Sequence, residues 1–510
     1  MALRKNKVLK ECYIVGEVSL FLYNKEYIPM VLKDIEIRDF KCFSTFKCQF
    51  EPGVNVLIGR NGTGKTTLIH ALHKAMSFVF SNDRSLGKEF LSKGNNTLNV
   101  RSFKESDYHF NTEMREPAHT VSIKAKATYN GRDLSWELFR RNQTNAALYQ
   151  SRYKKAFTEF MHEWKRNNAP LPLLAYYSDS YPHKYVKTVK YALDIVNNGV
   201  MPSNFGYYQW DEEAACTSIW ETRISNCLSK VQPYYTLILR AASEMQELEE
   251  KLSNDRFKEN PDYLRLKSEE DRIYKIIAEP LAEIMFVEAR LKAFAEALPG
   301  IKEQNFEIDV LVPVQTQEGF QLGLHFKDGS TSMLQDLPAG YRRLYSIVLD
   351  MAYRAYILNG DVEPNGLAII DEIDLHLHPE LEKEVMNVFR MTFPGVQFIV
   401  STHSPMVLTN LHPEGGKIMR LETGYSEPVT VEDIYGLDYN TGVEDVMGVD
   451  AKDVEIDNLV STLAFFEIKN MGQQAENVRT LLLEKLKGDK ALMEKLLDKR
   501  RKKMGDEVHQ

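Results

Sequence analysis

Val54-Asn55-Val56-Leu57-Ile58-Gly59-Arg60-Asn61-Gly62-Thr63-Gly64-Lys65-Thr66 is the stretch that decides the fold of this chain. Its first five residues form a nearly continuous apolar run of the kind a strand buried on both faces carries, and the run ends in a glycine-rich turn. Beyond the turn, Leu68, Leu72, Ala75 and Val79 recur at steps of four and three and share one face of a helix over 66–80. Gly59 to Thr66 fits GxxxxGK[ST] in full between that strand and that helix. Glycines let successive backbone N–H groups turn inward as an anion cradle, to which the helix adds the positive end of its dipole. Gly59, Arg60, Asn61, Gly62, Thr63, Gly64, Lys65, Thr66 and Thr67 are therefore the candidate nucleotide-binding residues. In this arrangement Lys65 reaches the β and γ phosphates and the Thr66 hydroxyl reaches Mg²⁺.

A second apolar run, Leu367-Ala368-Ile369-Ile370, leads into Asp371-Glu372. Acids at the carboxyl end of a buried parallel strand stand where open α/β sheets bind their ligands. Asp371 is thus expected in the Mg²⁺ shell, with Glu372 orienting and deprotonating an attacking water. A third run, Gln397 to Ser401, continues into Thr402-His403-Ser404 and brings His403 toward the same edge.

Around these motifs the chain alternates in character. Val31 to Arg38 alternates apolar and charged residues, and 121–129, 134–139 and 171–177 also read as strands, whereas 82–119 is polar and reads as a surface excursion. Within 207–298, Ile238, Ala241, Met245, Leu248 and Leu252 fall on one seam, and Ile277, Ile284, Leu291 and Leu298 recur every seven residues. Two such helices, with Pro280 as a kink point in the second, make a hairpin of about 50 Å at most, the size of a helical lobe rather than a long arm. Strand character returns at 306–314 and 320–326, a helix starts near Gly340, and the region after 450 is helical and ends in the basic run Lys499 to Lys503. The expected architecture is an α/β nucleotide-binding domain split by a helical insertion, with a helical C-terminal region. Its boundaries are an extension over 1–29, domain halves at 30–206 and 301–425, the insertion at 207–300, and the C-terminal region at 426–510.

Composition narrows the function further. Of 510 residues, 64 are Lys or Arg and 72 are Asp or Glu, so no global field draws the chain to nucleic acid and any such surface is a local patch. The five cysteines are odd in number and form no CxxC pair, which argues against both a zinc site and a disulfide framework. The apolar stretch from Tyr13 to Tyr23 contains Glu17 and is not followed by a small-residue cleavage site, and no run is long enough to span a membrane. A cytoplasmic protein is expected.

With these residues in view, Met30 to about Leu411 resembles the ABC-type ATPases of the RecF, SMC and overcoming-lysogenization groups. Asp371-Glu372 resembles their Walker B pair, Asp374 with Leu375-His376-Leu377-His378-Pro379 their D-loop, and His403 their switch histidine. Leu337-Pro338-Ala339-Gly340-Tyr341-Arg342-Arg343 resembles the signature motif, which in those families completes the ATP site of the opposite subunit in a head-to-tail dimer. Pro338 stands where a serine usually bonds the γ phosphate, so that contact is lost, while Gly340 is expected to offer an unobstructed amide. Gln143 is the candidate Q-loop ligand of the metal, and Lys41 and Phe43 are candidates for the α phosphate or the base. The strand over 171–177 with Ser178-Asp179-Ser180, the Leu-His-Leu-His-Pro element and Ile434 to Asp438 resemble the PtuA-like ATPases of Septu and retron-linked anti-phage systems. That resemblance implies an HNH-type nuclease partner and, in a retron context, a reverse transcriptase with its DNA/RNA product.

Three functions fit these features: a regulatory ATPase of anti-phage defence with its nuclease in another chain, a RecF- or SMC-like DNA repair ATPase, and an ATP-locked scaffold with little turnover. The first is favoured by a full set of hydrolytic motifs with no fused nuclease pattern after His403. The second would use the basic run as a duplex contact, and the Pro338 departure motivates the third.

Overall fold

The computed structural model describes residues 28–81, 99–112, 114–143, 146–181, 190–198, 201–210, 218–252, 256–298, 301, 305–317, 319–432, 434–437, 454–469 and 471–507. The chain divides into a unit over 1–436 and a second over 437–510. The expected extension over 1–29 and Asp438 lie almost wholly outside the described residues.

Two sheets of different construction organise the first unit. Strands β1 (Val31–Phe40), β2 (Phe43–Gln49), β6 (Thr120–Tyr129) and β7 (Arg132–Arg141) form an antiparallel sheet in the order β2-β1-β6-β7. Between β2 and β6 the chain runs through β3 (Val54–Ile58) and a small hairpin, β4 (Phe110–Asn111) with β5 (Glu116–Pro117). The second sheet has the order β15-β14-β3-β13-β12-β8, with β8 at Leu173–Tyr177, β12 at Asn365–Ile370, β13 at Gly395–Ser401, β14 at Gly416–Arg420 and β15 at Val429–Val431. Strands β8, β12, β13, β3 and β14 are mutually parallel, so their carboxyl ends share one edge. Every residue of β3, β8 and β12 is buried, which explains why their sequences are nearly continuous apolar runs, broken only by Asn55 and Asn365, rather than alternations. The Gln397 side chain ties the sheets together: its carbonyl accepts from Leu32 N at 2.9 Å, and its amide donates to the carbonyls of Leu32 and Glu51 at 3.0 and 2.9 Å.

Helix α1 (Lys65–Met76) follows β3, and α2 (Lys154–Asn167) follows β7. Short α3 (Lys190–Asn198) precedes the insertion, which is a pair of long helices, α4 (Ser218–Lys251) and α5 (Pro261–Ala297). At 34 and 37 residues they span about 50–55 Å, matching the compact hairpin expected from sequence. Ile238, Ala241, Met245, Ile277, Ile284 and Leu291 are all buried, so the heptad seams are packing seams. Asn260 caps α5 by accepting from the amides of Asp262 and Tyr263, with Pro261 in the first turn. Strands β9 (Ile308–Thr316), β10 (Gly319–Phe326) and β11 (Thr331–Met333) then form a three-stranded antiparallel sheet. Helix α6 (Ala339–Asn359) runs back into the core with 17 of its residues buried, and α7 (Pro379–Thr392) and α8 (Pro405–Thr409) flank β13.

Two expectations are corrected. Residues 82–98 lie outside the described residues, and the part from 99 onward is not simply a surface excursion: Phe103, Asp107 and Tyr108 are buried, and His109 N donates to Asp39 O at 2.9 Å. The Asp107 carboxylate and Lys74 ammonium, 3.0 Å apart, hold this segment on α1. The α/β unit also runs past 425, because β15 pairs with β14 and extends the main sheet. The second unit is helical, with α9 (Val454–Ile468), α10 (Gly472–Lys485) and α11 (Lys490–Glu507) closing a core around Leu463, Leu482 and Leu497. Among the described residues no helix is long and apolar enough to cross a membrane.

Candidate functional site

The carboxyl ends of β3, β12, β13 and β8 gather the motifs that are far apart in sequence. Main-chain bonds close this edge: Asp371 N donates to Tyr177 O at 2.8 Å, Ile373 N to Ser401 O at 3.0 Å and Thr402 N to Leu57 O at 3.2 Å. The loop after β3 turns through Gly59, Gly62 and Gly64, each with positive φ. A Cβ on Gly59 would collide with the Leu421 carbonyl, and one on Gly64 with the Phe43 ring, so neither site admits a larger residue. Helix α1 begins at Lys65 with no acid in its first turn, leaving its positive end facing the loop. Thr66 is exposed at this end, and Lys65 Nζ donates to the carbonyls of Gly59 at 2.7 Å and Arg60 at 3.3 Å.

Burial pulls the Lys65 ammonium below its usual range, while Asp371, Glu372 and Asp374, in that order, pull it back up. The lysine of the loop and all three acids therefore lie within one electrostatic field.

Two hydroxyls at and just past the end of β13 hold the acidic loop. Ser401 Oγ hydrogen-bonds Asp371 Oδ1 and accepts from Glu372 N at 2.8 Å. Thr402 Oγ1 donates to Asp374 Oδ1 at 2.6 Å, and His403 N reaches the same oxygen at 3.2 Å. His403 thus borders the loop of Asp371 and Asp374, as expected from its place after β13. Glu372 itself has φ 51°, the left-handed region that costs a non-glycine residue about 1–3 kcal/mol and that clusters at functional sites. His376 in the same loop also has positive φ, 65°.

The segment expected as a signature motif opens α6. Pro338 is exposed and caps the helix rather than occupying its first turn, and no side-chain cap bond forms there. Gly340 does not stand open: it is buried within its own chain, and a Cβ there would lie 2.7 Å from the His376 carbonyl. One turn on, Arg343 is 1% exposed and donates to the main-chain carbonyls of Asp371 and Tyr181 at 2.8 Å, Asp179 at 2.9 Å, Glu372 at 3.2 Å and Ser178 at 3.3 Å.

Gln143 is not gathered here. It is exposed past the end of β7, in the antiparallel sheet, whereas the strand whose end adjoins Asp371 is β8, followed by Ser178 and Asp179. A strand ending in a polar residue is common to both sheets, so sequence alone could not choose between them. Phe43 does lie against the loop at Gly64, and Lys41 Nζ sits 2.7 Å from His70 Nδ1 on α1. Ser401, Thr402 and Arg343 were not assigned roles from sequence. The first two carried a signal, hydroxyls where a buried strand emerges; Arg343 carried none.

Oxygen donors dominate the metal side. The Thr66 hydroxyl and the Asp371 carboxylate are oxygen donors of the kind that suits a hard divalent cation.

A family model described as an AAA ATPase domain matches residues 30–408. The retron Vc95 probable ATPase of Vibrio cholerae serotype O1 biovar El Tor is 26% identical over 459 residues, 81% of this chain and 80% of that protein. The retron Ec83 probable ATPase of Escherichia coli is 24% identical over 422 residues, covering 73% and 68% respectively. The Septu protein PtuA of Bacillus mycoides strain KBAB4 is 39% identical over 84 residues, 16% of this chain and 12% of that protein.

Proposed function

Because the chain belongs to the AAA ATPase domain family, we propose that it hydrolyses ATP at the shared edge of β3, β12 and β13 and does so as the regulatory subunit of an anti-phage defence complex. The observation that carries the chemistry is that parallel pairing brings the loop over 59–66 after β3, Asp371 and Glu372 after β12 and His403 after β13 to one edge of the sheet. Residues 59–67 cradle the phosphates, with Lys65 neutralising the β and γ groups. Thr66 and Asp371 hold Mg²⁺, which when bound offsets charge developing on the transferred phosphoryl group. Glu372 takes the proton of the attacking water and His403 borders the γ phosphate.

The defence assignment rests on the likeness to proteins named as retron and Septu ATPases. In it, a separate HNH-type nuclease is held or gated by this subunit, with nucleic acid, including a reverse transcriptase product, reached through the complex. ATP closes between two copies arranged head to tail, each offering the start of α6 to the other.

Phosphate release at saturating ATP and Mg²⁺ tests the chemistry. Glu372→Gln is expected to lower turnover by about 100-fold or more while ATP still binds; turnover equal to wild type removes Glu372 as the base. For the partner, a nuclease activity in the purified chain alone would contradict its placement in a second subunit.

A further inference from the structure

The strongest unexplained feature of the site is a buried cation with no carboxylate bonded to it. All five hydrogen bonds of the Arg343 guanidinium go to main-chain carbonyls, two of them in the acidic loop, those of Asp371 and Glu372. A planar fork carries donors on two separated nitrogens and so reaches the carbonyls after β8 and after β12 at once; a lysine ammonium has three donors but all on one nitrogen and does not reproduce that spread. The bridged residue Glu372 is the one in left-handed conformation. Its carbonyl is gripped by Arg343 and its amide by Ser401, so a backbone shape that the residue would not choose is fixed from both sides.

Arg343 also lies three residues beyond Gly340, on the same face of α6, and Gly340 abuts the His376 carbonyl of that same loop. The first turn of α6 therefore holds the acidic loop at two points.

We propose that Arg343 is a positioning residue for ATP hydrolysis: it sets the backbone of Glu372 and thereby ties the aim of the catalytic carboxylate to the seating of the first turn of α6. This rests on Glu372 being the base. Its consequence is that displacement of that turn by a partner changes the rate of the chemical step and leaves ATP affinity in place.

The test is Arg343→Lys in the full chain, with kcat and KM from phosphate release, ATP affinity by calorimetry in Mg²⁺, and a thermal melt. Expected is a fall in kcat of about 30- to 100-fold with ATP affinity within about threefold of wild type. A kcat within about twofold of wild type overturns the proposal, as does a parallel loss of kcat and ATP affinity. If Arg343→Lys does not fold, Ser401→Ala releases the other grip on Glu372. A fall in kcat at unchanged half-saturating Mg²⁺ then supports the clamp, and unchanged kcat, or a loss cured by excess Mg²⁺, overturns it. Glu372→Gln run alongside separates the two levels. If it hydrolyses ATP at the wild-type rate, the assignment of the base has failed; if it is inactive while Arg343→Lys is fully active, only the clamp has failed.

Discussion

Thr402 Oγ1 donates to Asp374 Oδ1 at 2.6 Å, joining the end of β13 to the loop that leaves β12. The same carboxylate oxygen accepts from the amide of His403, so one aspartate orients both the acidic loop and the histidine. Thr402→Val keeps the branched shape and removes the donor. Turnover should fall by about 10-fold with ATP affinity little changed, read from phosphate release and calorimetry on the same preparation. Unaltered turnover would show that the Asp374 bond is packing and not positioning.

Lys65 donates to the loop carbonyls of Gly59 and Arg60, and Asp371, Glu372 and Asp374 favour its charged form. Lys65→Ala should weaken ATP binding by about 10- to 100-fold, the worth of a charge-assisted bond to phosphate. Retained affinity in that variant would count against the whole nucleotide assignment.

Asp350, fully buried on α6, accepts from Tyr177 Oη at 2.7 Å, Trp220 Nε1 at 2.6 Å and Arg354 Nε at 2.6 Å. These partners belong to β8, to the root of the insertion and to α6 itself, so the carboxylate joins the inserted helices to the strand beside the site. Asp350→Ala strands the buried Arg354 charge and should cost about 3–5 kcal/mol. A drop in the main thermal transition is the readout; a melt indistinguishable from wild type would rule out this hub.

His73 on α1 is buried against the rings of Tyr176 and Trp210, and its Nε2 has no hydrogen-bond partner. Burial, reinforced by Arg101, Lys74 and His70, pushes its pKa from 6.5 down to about 3. The unfolded chain therefore binds a proton near pH 6.5 that the folded chain refuses until about pH 3, and stability contributed by this site is lost as pH falls through that window. His73→Phe should flatten the acid limb of a stability profile between those values, by up to about 1.4 kcal/mol per pH unit. An acid limb as steep as wild type would place the proton uptake elsewhere.

How legible the site was depends on the distance its parts lie apart in sequence. Gly59 to Thr66 is contiguous, and its function needs only the local geometry of a strand, a glycine turn and a helix start. The placement of Glu372 and His403 at one edge was legible for a similar reason, since each follows an apolar run whose parallel pairing sends its end there. Gln143 was misplaced because a strand end carries no mark of the sheet it belongs to. The heptads of α4 and α5 gave the length of the insertion, and its polar anchoring by Trp220 to Asp350 had no periodic signature.

The amino-acid sequence by itself determined the class of chemistry, because phosphate recognition here is built from backbone amides and from side chains adjacent along the chain. Only the tertiary structure decided how the backbone of Glu372 is held. Arg343 and Glu372 are 29 residues apart, and Glu372 and Ser401 are also 29 apart. Their bonds involve main-chain atoms whose positions follow from how α6, β8, β12 and β13 pack. Hydrogen bonds to main-chain carbonyls leave no complementary charge for a sequence to display.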